Sequence, residues 1–285
     1  MLSATIPSTS LVASRLGLGT ASLHHLLTSG QRLRLLETAY DQGFTHFDTA
    51  PLYGEGLAER TLGSFLSNGH RNRVTVSTKV GITASALPEL LPPWMYCEKA
   101  VDAALRRLGF AWQRPRRRNL SLRDVEKSFT KSLRNLRTDA VDILFVHEPS
   151  SSEIPSIAGL ADWLRLQKTA GRIRYTGLAG SASECVAIIR EVPDAFDILQ
   201  VEDSLDGREA DAIIRAGLPL QITYGYLRLK RHHDNSAGAI ADPRQCIKGA
   251  LARNTHGVIL VSTRSVSRLE QLASSATNWS ASHDS

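Results

Sequence analysis

Short runs of apolar, largely β-branched residues alternate with helix-like stretches along this chain, and no other feature restricts its fold as much. Strands are expected at 15–21, 45–50, 74–80, 141–147, 175–179, 198–202, 220–224 and 258–263. Helical patterns follow near 31–42, 57–67, 121–136, 155–170, 183–191, 206–216, 240–254 and 265–275. Strand–helix alternation builds right-handed βαβ units and a parallel sheet. Several strands are nearly continuous apolar runs, as strands covered on both faces must be. Eight such pairs predict an α/β fold closed as a (β/α)8 TIM barrel, with an open doubly wound sheet as the alternative.

The chain of 285 residues suits one large domain, 1–285, since α/β barrels reach this size undivided. One connection breaks the rhythm. About 40 residues separate the strand at 74–80 from the next helix, where about 2–6 are usual. The surplus, about 82–119, reads as an insertion after the third strand, and carries Pro88, Pro92, Pro93 and Trp94. Loops after strands lie on the C-terminal face of a barrel, so this insertion is a candidate wall for a substrate pocket. Residues 276–285, rich in Ser and Ala, are expected to fray.

The net charge of +6 would ordinarily raise nucleic acid as a partner. Seven arginines (Arg106, Arg107, Arg114, Arg116, Arg117, Arg118 and Arg123) fall within 103–123 with no acid among them, and without them the charges nearly cancel. The basicity is one loop, so no nucleic-acid partner is expected. No stretch approaches the ~18 apolar residues of a membrane span, and 1–14 lacks the pattern of a secretory signal. Cys97, Cys185 and Cys246 are far apart and odd in number, as reduced thiols in a cytoplasmic protein would be, with no disulfide or metal framework.

Two motifs imitate dinucleotide chemistry and fail. Gly17-Leu18-Gly19-Thr20-Ala21-Ser22 lacks the third glycine of the Rossmann fingerprint, and its helix begins too late to hold a pyrophosphate. Tyr226 and Lys230 have the spacing of a short-chain dehydrogenase pair without that fold's glycine-rich start. No Gly-x-Ser-x-Gly elbow or phosphate-binding P-loop occurs.

The chemistry gathers at strand ends. The second strand runs out through Asp48-Thr49-Ala50-Pro51-Leu52-Tyr53, the third through Lys79-Val80-Gly81, and the fourth through His147-Glu148-Pro149. Alone, such an Asp is often a helix cap and such a His a structural residue. In a barrel these ends meet on one rim, so Asp48, Tyr53, Lys79 and His147 are expected to share a site.

With these residues in place, the chain resembles the aldo/keto reductases. The resemblance runs from Ser14-Arg-Leu-Gly-Leu-Gly-Thr-Ala21 to Leu269 and is most specific over Phe47-Asp-Thr-Ala-Pro-Leu-Tyr-Gly-Glu-Gly-Leu-Ala-Glu-Arg-Thr-Leu-Gly63. It implies a catalytic tetrad of Asp48, Tyr53, Lys79 and His147. A carbonyl accepting a hydride becomes an alkoxide and needs a proton; Lys79 would lower the pKa of the donor Tyr53, Asp48 would hold Lys79, and His147 would bind the carbonyl oxygen. It also implies that Tyr224 stacks on a nicotinamide and Gln200 binds its carboxamide. Thr20 and Asp48 are further cofactor candidates, and Ser262, Thr263, Arg264 and Arg268 resemble a 2′-phosphate site. Two guanidinium groups suit a phosphate monoester, which favours NADP(H) and leaves NAD(H) open.

The chain departs from the family pattern at Ala179-Gly180, where a Ser-Asn pair is common, at Leu272, where an Asn is usual, and at Ser262, where several members have Lys. The expected activity is hydride transfer between nicotinamide and an aldehyde, ketone, sugar or alcohol, its partner a small molecule and its default state a monomer. The alternative from another class is a nicotinamide-binding regulatory or accessory barrel with little turnover.

Overall fold

A computed structural model describes residues 1–83, 118–227 and 242–281 of the chain. The insertion expected at 82–119 falls mostly outside these residues, and so do Trp94, Cys97 and Lys230.

Eight parallel strands close into a barrel. After a two-stranded hairpin, β1 (Ser3–Thr5) and β2 (Val12–Ser14), they are β3 (Leu16–Gly19), β4 (His46–Asp48), β5 (Thr75–Val80), β6 (Val141–His147), β7 (Ile173–Gly180), β8 (Ile198–Glu202), β9 (Ile222–Tyr224) and β10 (Val258–Val261). Each barrel strand pairs with the next in sequence, and β10 returns to β3 through Ile259 opposite Leu16. The closed barrel settles the choice against an open sheet.

Because side chains alternate across a strand, each barrel strand faces two interiors. On β6 every residue is buried. Ile143 and Phe145 point into the barrel with Ile198, Ile222, Val258 and Leu260, whereas Leu144 and Val146 join the shell beneath the helices. The inner layer is packed tightly enough that Gly177 has no room for a side chain: a Cβ there would meet the Ile198 carbonyl and the Phe145 ring. Ile6, Leu11 and Ala13 of the hairpin belong to the inner cluster too, so the hairpin stoppers the end of the barrel away from the strand C-termini.

Among the described residues the α-helices are α1 (Ser29–Asp41), α2 (Leu57–Phe65), α3 (Leu122–Leu136), α4 (Ile154–Ala158), α5 (Ala161–Thr169), α6 (Ala182–Glu191), α7 (Asp211–Arg215), α8 (Pro243–Arg253) and α9 (Val266–Ala281). Thr28 opens α1 with a capping box, and the Ser121 side chain accepts the Asp124 N–H at the start of α3. Three sequence expectations need correction. The helix expected at 155–170 breaks at Gly159–Leu160 into α4 and α5. The one expected from 206 begins only at Asp211, because the Asp203 carboxylate accepts the Ala210 N–H and Ser204 closes a turn on Gly207. The tail expected to fray from 276 continues α9 to Ala281. No described helix is long and apolar enough to cross a membrane.

Candidate active site

The barrel register carries the site. Asp48 lies opposite Ser77 across β4 and β5, Lys79 opposite Phe145, His147 opposite Ala179, and Ala179 opposite Gln200. The strand-end residues therefore stand at neighbouring positions around one rim. They line a cleft of about 380 Å³ at the C-terminal ends of the strands, together with Tyr224 and Ser262.

At its floor Lys79 and Asp48 form a buried ion pair. Lys79 Nζ donates to both carboxylate oxygens, at 2.7 and 2.6 Å, and to the Thr49 carbonyl at 2.9 Å. Ser77 Oγ donates to Asp48 Oδ1 at 2.7 Å. These bonds satisfy most of what burial would otherwise leave unpaired. Burial disfavours the Lys79 ammonium, but Asp48 and Tyr53 outweigh it and hold the pKa above the ordinary value, so this lysine is a fixed cation.

Tyr53 lies on the turn between β4 and α2, its backbone N–H bonded to the Ala50 carbonyl. Lys79 Nζ is 5.0 Å from its ring centroid, and the His147 ring stands nearly perpendicular to it at 5.9 Å. The expectation that Lys79 lowers the Tyr53 pKa is met by its own pull but not by the outcome. Burial pushes the phenol up by more than Lys79 pulls it down, and the net value lies above 10.0. Burial thus favours the neutral hydroxyl, the form a proton donor must start from.

The remaining expected residues divide. Gln200 is buried and lines the cleft, and its Oε1 has no hydrogen-bond partner among the described residues. A buried carbonyl left unpaired is costly. Thr20 is buried beneath the rim, donating its hydroxyl to the Asp48 carbonyl at 3.0 Å. Ser262 exchanges a hydrogen bond with Ser22 at 2.8 Å, tying the loops after β3 and β10 together. Thr263 accepts the Ser265 N–H at 3.1 Å. Arg264 and Arg268 are exposed on and just after that turn, outside the cleft lining. Leu272 is buried in the outer core. The decoy Tyr226 is spoken for, its hydroxyl donating to Asp203 at 2.6 Å.

Sequence reasoning passed over Glu148, Leu52 and Leu227, which also line the cleft. Glu148 adopts a left-handed φ of 46°, an uncommon conformation for a side chain of its size. Its place directly after His147 was a visible signal; its backbone geometry was not.

Comparison with known proteins bears on the family and the fold. The sequence profile described as the Aldo/keto reductase family matches residues 15–213. A D-threo-aldose 1-dehydrogenase from a Pseudomonas species is 29% identical over 198 residues, covering 67% of this chain and 57% of that protein. A pyridoxal 4-dehydrogenase from Microbacterium luteolum is 34% identical over 153 residues, covering 49% of this chain and 41% of that one. The matched segment thus spans about half the length of these two relatives. Among solved structures, an aldo-keto reductase from Pseudomonas aeruginosa superposes with a TM-score of 0.75 at 21% identity, covering 98% of this chain and 96% of that one. Another, from Klebsiella pneumoniae in complex with NADPH, gives 0.67 at 18% identity, covering 97% and 90%.

Proposed function

Since this chain belongs to the aldo/keto reductase family, we propose that it is an NADP(H)-dependent oxidoreductase interconverting a small carbonyl compound and its alcohol. The observation that carries this reading is the convergence of Tyr53, the buried Lys79–Asp48 pair and His147 on one cleft.

Bound NADPH would supply the hydride; everything else falls to the chain. The cleft fits such a group: Gln200, whose buried Oε1 lacks a partner among the described residues, and Tyr224 both line it, an acceptor for a carboxamide N–H and an aromatic ring. His147 binds the carbonyl oxygen and orients it toward Tyr53. As charge develops on that oxygen, the Tyr53 hydroxyl donates its proton. The phenolate left behind is stabilised by the Lys79 ammonium, which Asp48 keeps charged and in place. In alcohol oxidation the same groups run in reverse, with the phenolate as base. The D-threo-aldose and pyridoxal dehydrogenases in the comparison make sugars and aromatic aldehydes the first substrates to try.

Tyr53→Phe is the decisive variant. It removes the donor without changing the ring, so aldehyde reduction should fall about 10²- to 10⁴-fold while NADPH binding, read by fluorescence quenching, is kept. Unchanged turnover would overturn the mechanism. Ala179, which brings no polar side chain to the cleft, favours the second reading, a regulatory nicotinamide-binding barrel. Rapid steady-state NADPH oxidation with any of a panel of aldehydes excludes it.

A further inference from the structure

Arg118 makes a set of contacts that the proposed reaction has not yet used. Its Nη1 donates to the main-chain carbonyls of His147, at 3.2 Å, and Glu148, at 2.6 Å. Its Nε and Nη2 grip both oxygens of Glu153, at 2.8 and 2.6 Å. Glu153 is itself anchored, closing the capping box that begins at Ser150. The backbone of Arg118 and Asn119 is tied to the other strand end: Arg118 bridges Ile82, and the Asn119 N–H donates to the Gly81 carbonyl at 2.9 Å. One residue thus fastens the chain leaving β5, just past Lys79, to the chain leaving β6 at His147.

The energetics of the segment after His147 make such a fastening consequential. The left-handed φ of Glu148 carries a conformational cost that persists only where surrounding bonds fix it. Its N–H donates to the Ala179 carbonyl at 2.6 Å and its own carbonyl is held by Arg118, so the peptide is gripped from both sides. The planar guanidinium suits this work: it serves two carbonyls and a carboxylate at once, which the point charge of a lysine cannot do.

We propose that Arg118 is a positioning residue that fixes the His147 imidazole relative to Tyr53 and Lys79 by clamping the main chain after β6 to Glu153 and to the end of β5. The proposal rests on the reading of His147 as the group that binds the substrate oxygen. A misplacement of about 1 Å can cost a reaction about 100-fold, and a clamp acting through His147 has no effect once the imidazole is gone.

The experiment places Arg118→Ala and Arg118→Lys in the parent and in a His147→Ala background, measuring kcat and KM for aldehyde reduction, NADPH affinity and thermal stability. In the parent, Arg118→Ala is expected to lower kcat about 10- to 100-fold with NADPH affinity unchanged, and Arg118→Lys to recover part of it. In the His147→Ala background the same substitutions should change kcat less than about twofold. Equal losses in both backgrounds, or no loss in the parent, overturn the proposal. Should Arg118→Ala not fold, Arg118→Lys and Glu153→Gln carry the same comparison. If the parent turns over no aldehyde, ketone, sugar or alcohol, the functional reading fails, and ring ¹H–¹⁵N spectra of histidine-labelled protein decide the clamp alone. Signals assigned to His147 by their loss in His147→Ala should then shift or broaden in the Arg118 variants while other histidines stay put. An unmoved His147 signal overturns it.

Discussion

At the scale of single residues, the Lys79–Asp48 pair lies in a place that is expensive for either charge alone. Both side chains are almost wholly excluded from solvent and 2.6 Å apart. Lys79→Met leaves Asp48 buried without its cation and is expected to destabilise the fold by about 3–5 kcal/mol. Adding Asp48→Leu should restore most of that loss, because the uncompensated charge goes with it; urea denaturation of both variants checks the pair. The arginines after β10 pose the opposite case, exposed charges whose worth depends on a ligand. Arg268→Ala is expected to weaken NADPH binding about 10- to 150-fold, the value of a charge-assisted contact to phosphate, and to leave NADH binding nearly unchanged. Dissociation constants for both nucleotides at one salt concentration test it, and an unaltered NADPH-to-NADH ratio counts against the assignment.

At the scale of elements, burial on both faces made some strands readable end to end. The apolar runs at Val141–His147 and Ile198–Glu202 coincide with β6 and β8. The positions of Asp48, Lys79 and His147 were legible for a related reason, since an ionisable group closing such a run must lie at a strand's C-terminal end. The three-residue strands of the hairpin are too short for any period to show, so its role as a stopper was not readable. Nor was the Arg118 clamp, which reaches main-chain carbonyls 29 and 30 residues away, atoms that carry no residue code, and a carboxylate 35 residues away. The break between α4 and α5 hid because Leu160, Trp163 and Leu164 continue a helical apolar face across it. Packing inside the barrel is the element-scale test. Gly177→Ala drives a methyl into the Phe145 ring and the β8 backbone, and overpacking of this kind costs about 1–3 kcal/mol, read as a lower denaturation midpoint at unchanged m-value.

At the scale of the molecule, acid sensitivity should come in part from one histidine. His46 is fully buried on β4, its Nδ1 2.8 Å from Thr75 Oγ1 and its Nε2 without a partner among the described residues. Burial lowers its pKa from 6.5 to about 4. The unfolded chain therefore binds a proton at higher pH than the folded one. Stability from the neutral ring is complete above pH 6.5 and is lost as pH falls through that value toward 4, by about 3 kcal/mol. Urea midpoints at pH 7 and 4.5 should differ less in His46→Gln than in the parent; equal differences would remove His46 from the account. The closure of β10 onto β3 has a consequence for how the chain is made. A finished barrel shows no free strand edge to a neighbour, but the partner of Leu16 is Ile259. At ribosomal rates of about 5–20 residues per second, β3 waits about 10 to 50 s for its partner to be synthesised. Throughout that interval the growing sheet keeps two open margins, so this fold is safest from sticking to its copies when complete and most exposed while its last strand is still inside the ribosome.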